Sequence, residues 1–493
     1  MKFKSLFLSA AIGLLIPFSY AQKPPEPFGP IPNANQLRWK QMEYYMFIHF
    51  GPNTFTNKEW GHGNEDPKVF NPTSLDAEQW ARTAKVAGMK AIIITAKHHD
   101  GFCLFPSRYS THTVRESLWK NGKGDVLKEL AAACKKYGLK MGVYLSPWDR
   151  NHPDYGTEKY NQIFANTLQE VLGNYGEIFE QWFDGANGEG PNGKKVAYDW
   201  DLFRGVVYKN QPGAVIFSDI GPGVRWTGNE KGIAGLTNWS TINTDGYQIG
   251  PLSPPWRRLN QGNENGKYWI PSECDVSIRP GWFYSPETDD KVKTLDQLLS
   301  IYHASVGRNA NLLLNVPVDR RGLIAVPDSL RLMELRKALD DEFKVNLAKG
   351  KKVSVSNTRG NSAQFAGSKL VDGAFESYWC SDDRIKTASI TIDLGVSTTF
   401  NRVVLQEYIK LGQRVKSFKV SYLHDGSWKQ IDMQTTVGYK RIFSFPDVTG
   451  TKLRIDVLEA KACPVVSEIG IYRSKGKVPE LLMATFPPQQ DKP

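Results

Sequence analysis

The sequence predicts an α/β fold: a (β/α)8-like barrel of TIM type, distorted in its second half, followed by a C-terminal antiparallel β-sandwich. Three observations carry this. Apolar runs of strand length alternate with amphipathic helical stretches from Met46 to Leu339. Near Lys351 the texture changes to short alternating β-rich runs separated by turn residues. Polar and aromatic side chains collect at the C-terminal ends of the first set of runs, the end at which barrels of this kind carry their active sites.

The elements follow in order. Met46-Phe47-Ile48-His49-Phe50 reads as the first strand, and Asp76 to Ala87 as a helix with Ala77, Trp80, Ala81 and Ala84 on one face. Ala91 to Thr95 is a continuous apolar run of the kind buried on both sides. Asp125 to Tyr137 is a helix closed by Gly138. Met141 to Leu145, Ile178 to Phe183 and Ala214 to Phe217 are further strands, with a helix at Tyr160 to Leu172. Tyr268-Trp269-Ile270 and Leu312-Leu313-Leu314 are the later strand candidates, and Asp328 to Leu339 is the last helix. In the sandwich the runs are Ser389 to Ile392, Arg402 to Leu405, Phe418 to Tyr422 and Lys452 to Ile455, with His424-Asp425-Gly426 as one turn. The chain therefore divides into a leader at 1–21, a barrel at 22–345, a sandwich at 346–474 and a tail at 475–493, with a Pro-rich lead from Lys23 to Pro32 ahead of the barrel.

The leader has a basic start (Lys2, Lys4), an apolar run from Leu6 to Phe18 and a Ser19-Tyr20-Ala21 end, the pattern of a secretory signal peptide cut after Ala21. The run is shorter than the ~20 residues that span a bilayer, and no later run is long enough, so a secreted or periplasmic protein without a membrane span is expected. Five scattered cysteines in 493 residues argue against a disulfide scaffold, with Cys380–Cys463 as a candidate pair within one domain. The net charge of +11 comes from dispersed lysines and arginines, with nothing like a nucleic-acid-binding arm. No CxxC or HxH spacing suggests a zinc site.

The chemistry sits at the strand ends. The first ends in His49, followed by Glu59 and Trp60; the second runs into Lys97-His98-His99-Asp100-Gly101-Phe102; the third offers Tyr144, Ser146 and Trp148; the fourth offers Trp182 and Asp184. Each feature alone has an ordinary structural use, and Asp184-Gly185 alone is common turn chemistry. Histidines at two successive strand ends can share one mouth, where neutral imidazoles donate to and accept from vicinal hydroxyls.

These motifs resemble the signature of the α-L-fucosidases of glycoside hydrolase family 29. The residues that carry it are Ile48-His49-Phe50-Gly51, Lys97 to Phe102, Tyr144-Leu145-Ser146 and Trp182-Phe183-Asp184-Gly185, and Asn311 to Val316 is similar to the closing motif. The likeness covers Pro32 to Leu339. It implies a retaining mechanism that needs no cofactor, with Asp184 as nucleophile and a second carboxyl as acid/base. Glu230, in Trp226-Thr227-Gly228-Asn229-Glu230, resembles the acid/base segment of the branch that cleaves α-1,3/4-linked fucose; Glu273 is its rival. The resemblance makes His49, Glu59, Trp60, His98, His99, Tyr144 and Trp182 fucose-binding residues. Arg279 is a candidate for a hydroxyl or a second sugar, and Phe50, Trp282 and Phe283 for an apolar wall against the C5 methyl. The expected partner is a fucosylated oligosaccharide or glycoprotein glycan. The alternatives are a carbohydrate-binding protein with catalysis lost, or a barrel glycosidase for another sugar. Leu370-Val371-Asp372-Gly373, Tyr378-Trp379, Ile392 to Gly395 and Ser467-Glu468-Ile469 resemble discoidin-like (coagulation factor 5/8 type C) domains, which bind sugar and in some cases a structural calcium, or only buttress a neighbour.

Overall fold

A computed structural model describes residues 22–486. The expected signal peptide and the end of the tail lie outside these residues. Eight parallel strands close into a barrel: β1 (Tyr44–Ile48), β2 (Ala91–Lys97), β3 (Lys140–Leu145), β4 (Ile178–Trp182), β5 (Val215–Ser218), β6 (Val224–Trp226), β7 (Ser272–Ser277) and β8 (Asn311–Asn315). Each pairs with the next in sequence, and β8 closes on β1.

The strands form where both faces can be buried. Along β1, Tyr45 and Phe47 point into the barrel, while Tyr44, Met46 and Ile48 pack against the helices, the period of two a pleated strand imposes. The helices outside are α1 (Ala77–Val86), α2 (Val126–Tyr137), α3 (Lys159–Asn174), α4 (Trp200–Asn210), α5 (Leu295–Ser305) and α6 (Val326–Glu342). Their ends obey local chemistry. Asp76 and Asp125 cap α1 and α2 by accepting the N–H of Gln79 and Lys128, and Gly138 ends α2 in the left-handed conformation, φ +63°.

The distortion of the second half has a specific form. Between β5 and β6 only residues 219–223 intervene, too few for a helix. The long segment from β6 to β7 then carries a short helix, Trp256–Gln261, and a two-stranded antiparallel pair of Thr241–Ile242 with Tyr268–Trp269. Tyr268-Trp269-Ile270, expected as a barrel strand, therefore belongs to that pair and lies outside the barrel.

The C-terminal domain is antiparallel throughout: β9 (Lys352–Val355), β10 (Trp379–Cys380), β11 (Ala388–Glu407), β12 (Val415–His424), β13 (Ser427–Thr435), β14 (Arg441–Ala460) and β15 (Val465–Tyr472). Ser389 to Ile392 and Arg402 to Leu405, expected as separate strands, fuse into the long β11, and Lys452 to Ile455 is part of the long β14; register shifts between the two bend them across the sandwich. Asp425 and Gly426, both with positive φ, make the two-residue turn between β12 and β13.

The two domains are tied together. Arg441 donates to the Leu236 carbonyl at 2.7 Å, Asn309 accepts from Tyr439 N–H at 2.8 Å, and Glu342 at the end of α6 pairs with Arg402 of β11. The Pro-rich lead lies against the sandwich. Arg359 donates to Lys23 O at 2.7 Å, Arg414 to Glu26 O at 2.6 Å, and Phe28 N–H to Leu411 O at 3.0 Å. All five cysteines are buried free thiols, so Cys380 and Cys463 are not bonded to each other. Among the described residues no helix is long and apolar enough to cross a membrane.

Candidate active site

A cavity of about 160 Å³ opens at the C-terminal end of the barrel. That is smaller than the ~300 Å³ of a typical drug-sized site and suits one small ring. Side chains from or just beyond β1, β2, β3, β4, β6 and β7 converge on it.

His49, one residue past β1, and His99, two past β2, are held by their inner nitrogens. Asn315 at the end of β8 gives its amide to Ser277 Oγ and Trp282 O, so its Oδ1 accepts from His49 Nδ1 at 2.9 Å. Ser146 donates to Trp148 O, so its oxygen accepts from His99 Nδ1 at 2.8 Å. These partners assign the proton to Nδ1 in both rings and leave both Nε2 atoms as acceptors. Burial pushes His49 down to about 3 and His99 to about 4, and holds His98 well below the usual imidazole range, so all three are neutral near pH 7. His98 stacks on Tyr144, with centroids 5.6 Å apart at 16°.

Asp184 stands two residues past β4. Tyr144 Oη donates to its Oδ2 at 3.0 Å and Ala186 N–H to its Oδ1 at 2.7 Å, so both carboxyl oxygens are held in orientation. His99 Nε2 lies 3.7 Å from Oδ2. Trp182 supplies the floor, sandwiched between Phe217 (4.0 Å, 9°) and Tyr144 (5.2 Å, 29°).

Glu230 lies just beyond β6, lines the cavity and keeps solvent access. Lost hydration raises its carboxyl, the Trp282 indole hydrogen bond pulls the other way, and the charges of Asp184 and Glu59 raise it further. Lys231, its neighbour, is exposed and not among the cavity residues. Trp60 stands at the rim, 57% exposed, edge-on to Trp148.

The comparisons with known proteins agree with this geometry. Residues 31–340 match the family model Alpha-L-fucosidase, and residues 352–469 match the F5/8 type C domain. The chain is 42% identical to Alpha-L-fucosidase 1 of Arabidopsis thaliana over 456 residues, 92% of this chain and 89% of that one. A glycoside hydrolase 29 family member from an unknown rumen bacterium superposes with a TM-score of 0.82 at 44% identity, covering 92% of this chain and 79% of that one. The Ruminococcus gnavus GH29 fucosidase in complex with fucose gives 0.85 at 34% identity, covering 93% and 97%.

The chain belongs to the α-L-fucosidases of glycoside hydrolase family 29.

Several candidate residues of this fucosidase sit elsewhere than the resemblance implied. Glu273 is fully buried inside the barrel on β7, where it accepts from Tyr45 Oη and from Trp182 Nε1 at 2.9 Å, and it does not line the cavity. Arg279 is 1% exposed and bonded to Asp328 at 2.9 Å and Asp289 at 2.8 Å. It is not among the cavity walls. Glu59 reaches not into the cavity but to the Trp282 N–H at 2.7 Å, and so steers Trp282, which does line it. Phe50 packs with Phe55, Phe70 and Trp80 behind the strands, and Phe283 backs His49 and His98 edge-on. Trp282, Phe47 and Ala186 supply apolar surface in the cavity itself.

Sequence reasoning missed Asp275. It lies on β7 and is 3% exposed, yet it lines the cavity beside Glu230, with Oδ1 accepting from Trp226 Nε1 at 2.9 Å. Burial and then the Glu230 charge hold it well above the carboxylate range. Among the described residues no group of three His, Cys, Asp or Glu side chains is placed to hold a metal. In the sandwich, Glu468 accepts the Gly373 N–H at 3.1 Å.

Proposed function

We propose that this fucosidase is exo-acting and retaining, removes terminal α-1,3- or α-1,4-linked L-fucose from branched glycans, and uses Asp184 as nucleophile and Glu230 as acid/base. The observation that carries this is the meeting of Asp184 and Glu230 in one fucose-sized cavity, close enough for the Asp184 charge to raise the Glu230 carboxyl.

Asp184 Oδ attacks the anomeric carbon as the glycosidic bond breaks, and Glu230 gives its proton to the departing oxygen. Glu230, now a carboxylate, takes a proton from water. That water attacks the same carbon, displaces Asp184, and releases fucose with its configuration kept. Asp275 is a poorer acid for this step. It is buried and held by Trp226, whereas Glu230 faces the solvent side through which an aglycone leaves. The Nε2 acceptors of His49 and His99 suit sugar hydroxyl donors, and a pocket with room for one small ring suits a chain end. The linkage reading draws on the segment around Glu230 and on the Ile278 to Tyr284 segment, which resembles the same α-1,3/4 branch, and on exposed Trp60, which offers a ring face to a second sugar. Export to the periplasm or medium is supported by the leader alone.

Proton NMR of the first product tests the mechanism: α-fucose must appear before mutarotation, and β-fucose first would overturn retention. A panel of α-1,2, α-1,3, α-1,4 and α-1,6 fucosides tests the linkage, with preference for the 1,3 and 1,4 members expected. An aryl β-galactoside turned over as fast as the aryl α-L-fucoside would replace the sugar assignment. N-terminal sequencing of the exported protein should begin at Gln22.

A further inference from the structure

Directly beneath the cavity the barrel holds two acids that face each other, Glu180 of β4 and Glu273 of β7, both without solvent exposure. We infer that this pair is a positioning device for the nucleophile: Glu180 carries one proton and donates it to Glu273, and the Glu273 carboxylate so fixed orients Trp182, Tyr144 and through them Asp184. The inference rests on Asp184 being the nucleophile.

The proton's place follows from counting donors. Glu273 already receives two, Tyr45 Oη on Oε2 and Trp182 Nε1 on Oε1. Glu180 receives one, Trp39 Nε1 on Oε2 at 3.0 Å, and its Oε1 meets no N–H or O–H of the chain. Two charged carboxylates side by side in a dry interior repel strongly, so the pair holds a proton. On Glu273 that proton would confront donors already pointed at it. On Glu180, which has an oxygen that no donor reaches, it gives Glu273 a third donor. The electrostatics run the same way: burial and then the Glu273 charge hold Glu180 well above the carboxylate range, whereas burial raises Glu273 against the hydrogen bonds from Tyr45, Glu180 and Trp182.

The consequence reaches the cavity through short contacts. Glu273 anchors the Trp182 indole nitrogen, the indole stacks on Tyr144, and Tyr144 Oη donates to Asp184 Oδ2 at 3.0 Å. A loosened Trp182 misaims the attacking oxygen. The imidazoles of His49 and His99 are anchored by Asn315 and Ser146 instead, so bond formation suffers more than sugar binding.

The test uses the full-length enzyme and two aryl α-L-fucosides, one with a good and one with a poor leaving group. E273Q turns a donor amide toward three donors and is expected to lose about 100-fold in kcat on both substrates, with KM within about threefold. E180L should match it, and E180Q, which restores a donor, should recover most of the loss. A kcat within about threefold of wild type for E273Q and E180L, or an E180Q as slow as E180L, overturns the proposal. Thermal unfolding reports whether each variant is folded. If E273Q is not, Tyr45→Phe removes a single donor, with a loss of about fivefold in kcat at constant KM expected; an unchanged kcat there overturns the proposal as well. Asp184→Ala in the same series separates the two readings. Turnover retained by that variant removes the nucleophile assignment, whereas turnover retained by E273Q alone removes only the acid pair's role.

Discussion

Glu407 in the sandwich and Glu230 in the barrel are both acids raised by the loss of water, yet their surroundings differ in kind. Glu407 is fully buried and accepts the backbone N–H groups of Arg414 and Val415 at 2.8 Å and of Gly438 at 2.6 Å. Burial pushes it up to about 7 against those bonds and the Arg414 charge. Its lone pairs are used up in bracing two loops against the end of β11. Glu230 is bonded to one indole and otherwise faces the cavity, with Asp184 opposite its charge. A raised acid therefore does not mark an active site; what marks it is where the oxygens point, and whether a second acid shares the space.

The sharpest way to break this comparison is Asp184→Ala. Its loss in kcat/KM on an aryl α-L-fucoside should be about 10⁴-fold, near ~5.5 kcal/mol, with stability nearly unchanged. Glu230→Ala follows at about 10³-fold on a poor leaving group, less on a good one, with part of the rate returned by added azide. The same rescue in Glu273→Ala instead would reverse the assignment of the acid. Glu407→Ala leaves buried N–H donors without an acceptor and should cost about 3 kcal/mol in urea unfolding, with kcat of the folded enzyme unaltered. A large drop in kcat there would erase the distinction drawn between the two acids. The smallest effect concerns pH. Glu230 must be protonated to act, so the rate on a poor leaving group falls as pH rises through its raised value. Glu59→Gln removes one of the charges that raise it, and the alkaline limb should move to lower pH.

The regular half of the barrel was legible because its physics is simple. Ala91 to Thr95 and Met141 to Leu145 are apolar runs buried on both faces, and Asp76, Asp125 and Gly138 mark helix ends by chemistry visible in the letters. The histidines and Asp184 were legible because they follow directly on such runs. What was hidden lies where function overrides pattern. β7 reads Ser-Glu-Cys-Asp-Val-Ser, and its two acids on buried faces cancel the hydrophobic signal, so neither the strand nor Asp275 could be seen. β6 is three residues long and follows β5 without a helix, so no change of period announces it. Tyr268-Trp269-Ile270 has strand composition, but composition does not say which strand it will pair with. Arg279 drew a role in the site because a lone arginine near an aromatic segment carries no trace of Asp328, which lies far along the chain.

The lead at the amino end has a consequence for biogenesis. Its backbone carbonyls at Lys23 and Glu26 dock on Arg359 and Arg414. A ribosome makes the lead before the barrel and its seat after it, so this clasp can fasten only once most of the polypeptide has emerged. Until then the lead waits without its destination, and the finished enzyme is clasped by residues made long before their partners.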